Sequence, residues 1–221
     1  MQKFDTPAPV LAVLDIPAGR IRFIAADRAD TVVEVLPANA AKSRDVKAAE
    51  QIEVGYGDGV LRIAAPAAHN RLLGTSGSVE VTVQLPADSR IDATAAAAEL
   101  RGVGRLGEIT FDGAHRHIKI DEAASIRLTA TDGDIEVGRL TGPAQISTAR
   151  GDIRIAEAVQ GTVVLRTQDG DISVTAAAGV SAALDAGTDH GRVSNTLKND
   201  GTTALDIHAT TSRGDITARS L

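Results

Sequence analysis

The chain has 221 residues and no cysteine, and its 29 Asp plus Glu outnumber its 23 Lys plus Arg for a net charge of -6. This excludes a disulfide framework, a thiol nucleophile and a cysteine-held metal, as well as the basic stripe that a nucleic-acid footprint needs to displace counterions. Aromatic residues are 2% of the chain and Trp is absent, so the ring platforms on which sugars and unpaired bases stack are nearly missing.

The first twenty residues, MQKFDTPAPVLAVLDIPAGR, lack the long apolar core of a secretory leader. Val10–Leu14 is too short, and Asp5, Pro7 and Pro9 precede it. No apolar run approaches the length of a membrane span. The expectation is a cytoplasmic protein with no membrane span.

Strand-like runs follow at 10–16, 20–25, 31–36, 60–64 and 78–85, and the last alternates cleanly up to Pro86. Segments 38–51 and 66–76 are loop candidates, although 44–54 is also the best helix candidate in this part of the chain. Alanine-rich 93–100 tempts a helix assignment on propensity, but the repeat described next makes it a pair of strands with small inward residues.

From residue 91 onward the chain repeats. Gly133, Gly151, Gly170, Gly191 and Gly214 stand 18, 19, 21 and 23 residues apart. Two residues after each come Ile135, Ile153, Ile172, Val193 and Ile216. Three before lie Ala130, Thr148, Thr167, Thr188 and Thr211, and five before lie Leu128, Ile146, Leu165, Ala186 and Ala209. Every column keeps period two, the signature of strands with one buried face. A common register at a near-constant period is what a parallel coil produces, because each turn lies on its predecessor. The register extends upstream through Ile91, Ile109, Phe111, Ile118 and Ile120. A second glycine series, Gly142, Gly161, Gly179 and Gly201, divides each turn into two half-turns.

The expected fold is therefore all-β. It is a parallel β-solenoid of 17–23 residues per turn, right-handed by the crossover rule. Residues 1–90 form a β-rich cap over one end and residues 91–221 form the solenoid, packed as one continuous domain. The final GDITARSL is expected to leave an open strand edge.

The stretch GSVEVTVQLP at 77–86, the Gly-Asp-Ile series and DHGRVSN at 189–195 resemble the bacterial "putative adhesin" family of β-strand-repeat proteins, a domain of unknown function. The resemblance covers most of the chain and is strongest from 77 to 221. It implies a β-solenoid-like repeat domain and supplies no catalytic residues.

Four features invite a chemical reading. The aspartates Asp132, Asp134, Asp152, Asp169 and Asp171 form a ladder that calcium could bridge. The structural alternative is turn-forming Asp, hydrogen-bonded to turn amides and balanced by basic neighbours. The residue before each glycine supplies such neighbours: Asp132, Arg150, Asp169, His190, Arg213. Favourable cross-strand pairs alternate in this way. The inward threonines read as a hydroxyl ladder bonded to neighbouring rungs. His115 and His117 share a strand face, but zinc needs three or four ligands. His69, His190 and His208 stand alone. The segments 175–185 and 197–206 lengthen the last turns and are where a binding loop would emerge.

No nucleophile elbow, Walker loop or Rossmann fingerprint is present. The functional expectation is a non-enzymatic binding or scaffold protein. It presents a solenoid face or strand edge to a protein partner or to another copy of itself, and no catalytic, cofactor or metal residues are assigned. The alternatives are a polysaccharide-acting β-helix enzyme and a calcium-stabilised adhesin-like repeat. Neither nucleic acid nor a small-molecule ligand is expected.

Overall fold

The computed structural model describes residues 1–65, 77–113 and 117–221. The chain divides into two compact units, Met1–His115 and Arg116–Leu221.

In the first unit, β2 (Leu11–Ala26) is the central strand. It lies parallel to β7 (Arg90–Gly113) along Leu11–Ile24. Its other side is shared by β5 (Val60–Ala64), parallel at Leu11–Asp15, and β6 (Val79–Pro86), parallel at Gly19–Ala26. The break between these halves falls at Gly19, whose φ of 142° turns the strand. A Cβ there would sit 1.8 Å from the Val79 carbonyl oxygen, so this position requires glycine for its close backbone approach.

Three antiparallel additions flank this array. β3 (Asp30–Pro37) pairs with β6, and β1 (Gln2–Asp5) pairs with β3. β4 (Glu53–Gly57) pairs with β5 through a turn at Asp58 and Gly59, which both take positive φ, as a two-residue type I′ hairpin demands. The segment read both as loop and as helix is a helix, α1 (Ser43–Gln51). Asp45, in its first turn, suits the positive end of the helix. Its carboxylate is buried and accepts the Ser78 amide at 3.1 Å. The alanine-rich stretch 93–100 is strand, within β7.

The second unit is two parallel ladders joined at the Gly-Asp turns. One runs through the second half of β8 (Ile118–Asp132), β10 (Ala144–Arg150), β12 (Gly161–Asp169), β16 (Leu205–Arg213) and β14 (Ala182–His190). The other runs through the first half of β8, β9 (Ile135–Leu140), β11 (Ile153–Ala158), β13 (Ile172–Ala176), β17 (Ile216–Ser220) and β15 (Val193–Thr196). The parallel β-solenoid expected from the columns is what these strands form, at about 4.8 Å between rungs.

The spatial order departs from the sequence order at one place. The last rung, β16–β17, lies between β12–β13 and β14–β15. The closing GDITARSL is therefore an interior strand, and the expectation of an open edge there is corrected. The outermost rung of this unit is β14–β15. Burial supplies the reason. Leu205, Ile207, Ala209, Ile216 and Ala218 are essentially fully buried, whereas all four residues of β15 are exposed. Taking the strands in chain order would bury Asn195 between Val174 and Ala218. A buried polar group without a partner is costly, so the more apolar rung moves inward.

Candidate binding groove

The Gly-Asp turns position the aspartates of this surface. Gly151, Gly170 and Gly214 have φ of 129°, 154° and 143°. A Cβ on each would fall 2.3, 2.1 and 2.0 Å from the carbonyl oxygen of Gly133, Gly151 and Gly170 respectively. Only glycine permits rungs to stack this closely at the bend.

The residue after the glycine ties each rung to the next. Asp134 Oδ1 accepts the Asp152 amide at 2.9 Å, and Asp152 Oδ1 accepts the Asp171 amide at 2.8 Å. Asp171 Oδ1 accepts the Asp215 amide at 2.7 Å, and Asp215 Oδ1 accepts the Arg192 amide at 2.9 Å. At the edge rung the column changes from aspartate to Arg192. Arg192 has no acceptor to offer a further rung, and its guanidinium folds back to Asp215 Oδ2 at 2.8 Å. That ion pair, chiefly its side-chain hydrogen bond, pushes the Asp215 carboxyl below its ordinary range and the Arg192 guanidinium above its own.

The threonines stitch in the opposite sense. Thr167 donates to the Gly151 carbonyl at 3.1 Å, Thr211 to Gly170 at 3.0 Å and Thr188 to Gly214 at 3.0 Å. Thr148 donates to the Arg150 carbonyl at 3.1 Å. The hydroxyl ladder bonded to backbone is thus the observed arrangement.

Asp132 and Asp169, from the position before the glycine, pair with Arg150 at 2.7 Å and Arg213 at 2.8 Å. On the neighbouring column Lys119 reaches Glu136 at 2.8 Å, and that hydrogen bond holds the Glu136 carboxyl below its ordinary range.

The outer face of β11, β13 and β17 holds a groove of about 580 Å³. Asp152, Asp171 and Asp215 line its turn side. Arg154 and Arg219 also line it, and Ser173, Thr175 and Thr217 supply hydroxyls. Arg219 Nε donates to the buried Thr175 hydroxyl at 3.2 Å, which fixes its head group. The groove combines acidic, basic and hydroxyl groups on a frame whose turn amides are already satisfied. Such a surface can recognise a charged partner without rearranging.

Asp134, Asp152 and Asp171 share the turn column, while Asp132 and Asp169 lie one step away in the ion-pair column. Among the described residues no group of three His, Asp or Glu side chains is placed to hold a metal ion. His115 and His69 lie outside the described residues, and His117 is half-buried just before β8. The two long connections meet: Asp200 N–H donates to Ser181 Oγ at 3.1 Å, and Ala182 N–H donates to the Lys198 carbonyl at 2.9 Å. His208, which stands alone in the sequence, lies between Asp206 (3.1 Å) and Asp185 (3.4 Å). Asp185 and His208 become neighbours only when β16 is placed beside β14.

Satisfied turns, parallel ladders and a near-absence of helix define a β-solenoid-like repeat protein. Residues 14–219 match the Toastrack DUF4097 family, and the chain belongs to it. A Bacteroides fragilis "putative adhesin" of known structure is similar over 98% of this chain and 95% of its own, with 14% identity and a TM-score of 0.51. One from Parabacteroides distasonis aligns over 98% and 95% with 16% identity and a TM-score of 0.44. A "putative cell adhesion protein" from Clostridium sporogenes aligns over 100% and 98% with 11% identity and a TM-score of 0.39. The Bacteroides likeness carries the fold alone. No curated protein matches the chain in sequence. Among the described residues no helix is long and apolar enough to cross a membrane.

Proposed function

We propose that the chain is a non-enzymatic binding or scaffold module whose working surface is the groove on β11, β13 and β17, offered to a protein partner. The observation that carries this reading is the groove's lining, in which Asp152, Asp171 and Asp215 share one concavity with Arg154 and Arg219. A charged, hydroxylated surface nearly without aromatic rings suits a polar protein face better than a sugar chain. The adhesin name carried by the structural neighbours accords with a binding role.

The test compares wild type with R154E/R219E as bait in native extracts after crosslinking. A partner retained by wild type and lost from a folded variant supports the groove. Identical capture by both overturns it. Fractionation of native cells tests the cytoplasmic location against a surface one.

A polysaccharide-cleaving enzyme needs one carboxylic acid held protonated near neutrality beside a second that is ionised. The Arg192 guanidinium holds the Asp215 carboxyl below its ordinary range, the wrong direction for the protonated partner. Hydrolysis of a polysaccharide panel, abolished by D171N or D215N, would reinstate the enzyme. A calcium-stabilised repeat predicts that chelator lowers the melting temperature and calcium restores it.

A further inference from the structure

The rung β16–β17 occupies a place that the chain has to leave open. Its two walls, β12–β13 and β14–β15, are consecutive in sequence and are joined through only 177–181. Residues 205–220 come later, yet they pair with both walls along their length. The seat is also coded. Arg213 meets Asp169, Thr211 meets the Gly170 carbonyl, and the Asp215 amide meets Asp171 Oδ1. Asp215 in turn receives the Arg192 amide from the other wall. The segment that satisfies all these positions is this chain's own last rung. The connection 197–204 has no helix or strand and is largely exposed. Eight residues can span roughly 27 Å when extended.

We propose that β16–β17 is an exchangeable rung, and that two copies of the chain associate by seating the last rung of each in the other. Exchange of an identical terminal element creates no new interface, because every contact in the swapped pair already exists in the single chain. The connection acts as the hinge. At low concentration the chain's own rung wins through its effective concentration, about millimolar for a short tether, and through the hydrogen bonds that hold 198–200 to Ser181, Ala182 and Ser220. Association therefore grows with the concentration at which chains fold together. The inference does not rest on the groove's binding role, although β17 and its turn supply Asp215, Thr217 and Arg219 to that groove.

The absence of native cysteine makes a clean test possible. Ser173 and Thr217 are register partners on adjacent parallel strands, close enough for a disulfide. S173C chains and T217C chains, each with a single thiol, are unfolded together, refolded over a concentration series and oxidised. The expected product is a disulfide-linked pair of one S173C and one T217C chain. It should rise with concentration and exceed the S147C plus T217C control roughly ten-fold, because Ser147 is not a register partner of Thr217. A second pair, R166C with T210C, reads the other ladder and guards against a misfolded variant. Refolded wild type should show a dimer mass by light scattering at the same concentrations. Linkage no greater than the control for both pairs overturns the proposal. So does a dimer that forms without either link.

Discussion

Arg213 donates to Asp169 Oδ2 at 2.8 Å across a separation of 44 residues. The pair exists because the last rung is inserted. In chain order the column before the glycine runs Asp132, Arg150, Asp169, His190, Arg213, which sets Asp169 against a histidine. In space it runs Asp132, Arg150, Asp169, Arg213, His190, so acid and base alternate over the first four positions and Asp169 lies between two arginines. Arg213→Asp places a carboxylate directly beside Asp169 in place of its guanidinium partner. Exposed cross-strand pairs contribute about 0.2–1 kcal/mol, so the loss should be about 1 kcal/mol in urea unfolding at low salt. It should shrink at 1 M salt, where the screening length is about 3 Å.

Glycine at the bend is a stronger requirement. Gly214→Ala combines φ of 143° with a Cβ 2.0 Å from the Gly170 carbonyl. Backbone atoms on both sides cannot move without parting two rungs. The expected cost is about 3 kcal/mol or failure to fold. Gly201→Ala has positive φ, but nothing lies within 4 Å of the added carbon. It should cost only about 1 kcal/mol. Thermal melts of the two variants separate close approach from conformational strain.

The columns were legible because parallel stacking repeats one environment at each turn. Ile135, Ile153, Ile172 and Ile216 face the same core, and Thr167, Thr188 and Thr211 meet the same kind of carbonyl. The rung order was not legible in the same way. A column fixes which residues are equivalent, whereas adjacency depends on which rung loses least by being outermost. A signal was present all the same. Asn195 stands where Val137, Ile155 and Val174 stand in other rungs, and Arg192 stands where others have aspartate. The polar rung marks the edge. The groove escaped sequence reasoning because Arg219 and Asp152 come to line one concavity only through that same order, with β17 directly beside β13.

Thr167→Val keeps the β-branched shape and removes the hydroxyl that the Gly151 carbonyl accepts at 3.1 Å. Thr167 is buried, so the carbonyl loses its side-chain donor away from water. A destabilisation of about 1–2 kcal/mol is expected in denaturant midpoints. The equivalent change at Thr188, on the exposed edge rung, should cost less because water can replace the lost donor.

Acid should weaken the fold in a defined window. Hydrogen bonds from Arg28 and then Lys3 lower the Asp30 carboxyl from 3.8 to about 2. Asp215 is lowered by Arg192, and Glu136 by Lys119. These carboxyls bind protons more weakly folded than unfolded. Their contribution is complete above the ordinary carboxylate range and is lost as pH falls through the lowered values. Stability measured by urea midpoints should change little from these groups between pH 7 and about 5, and should drop between about 4 and 2. Asp30→Asn should start from a lower plateau and lose less across that drop. An unchanged slope would remove Asp30 from the account.

Truncating matched residues on two rungs reads the spatial order directly. Ile216 and Val193 occupy the same column, but Ile216 is 1% exposed and Val193 is 46% exposed. If the rungs followed chain order, Val193 would be interior and Ile216 would sit at the edge. With β17 between β13 and β15, Ile216→Ala empties a closed site and should cost about 2–5 kcal/mol. Val193→Ala should stay within about 0.5 kcal/mol. Equilibrium unfolding of the two variants side by side measures that gap. Equal costs, or the reverse ranking, would place the C-terminal rung outside and undo the charge alternation at Arg213 with it.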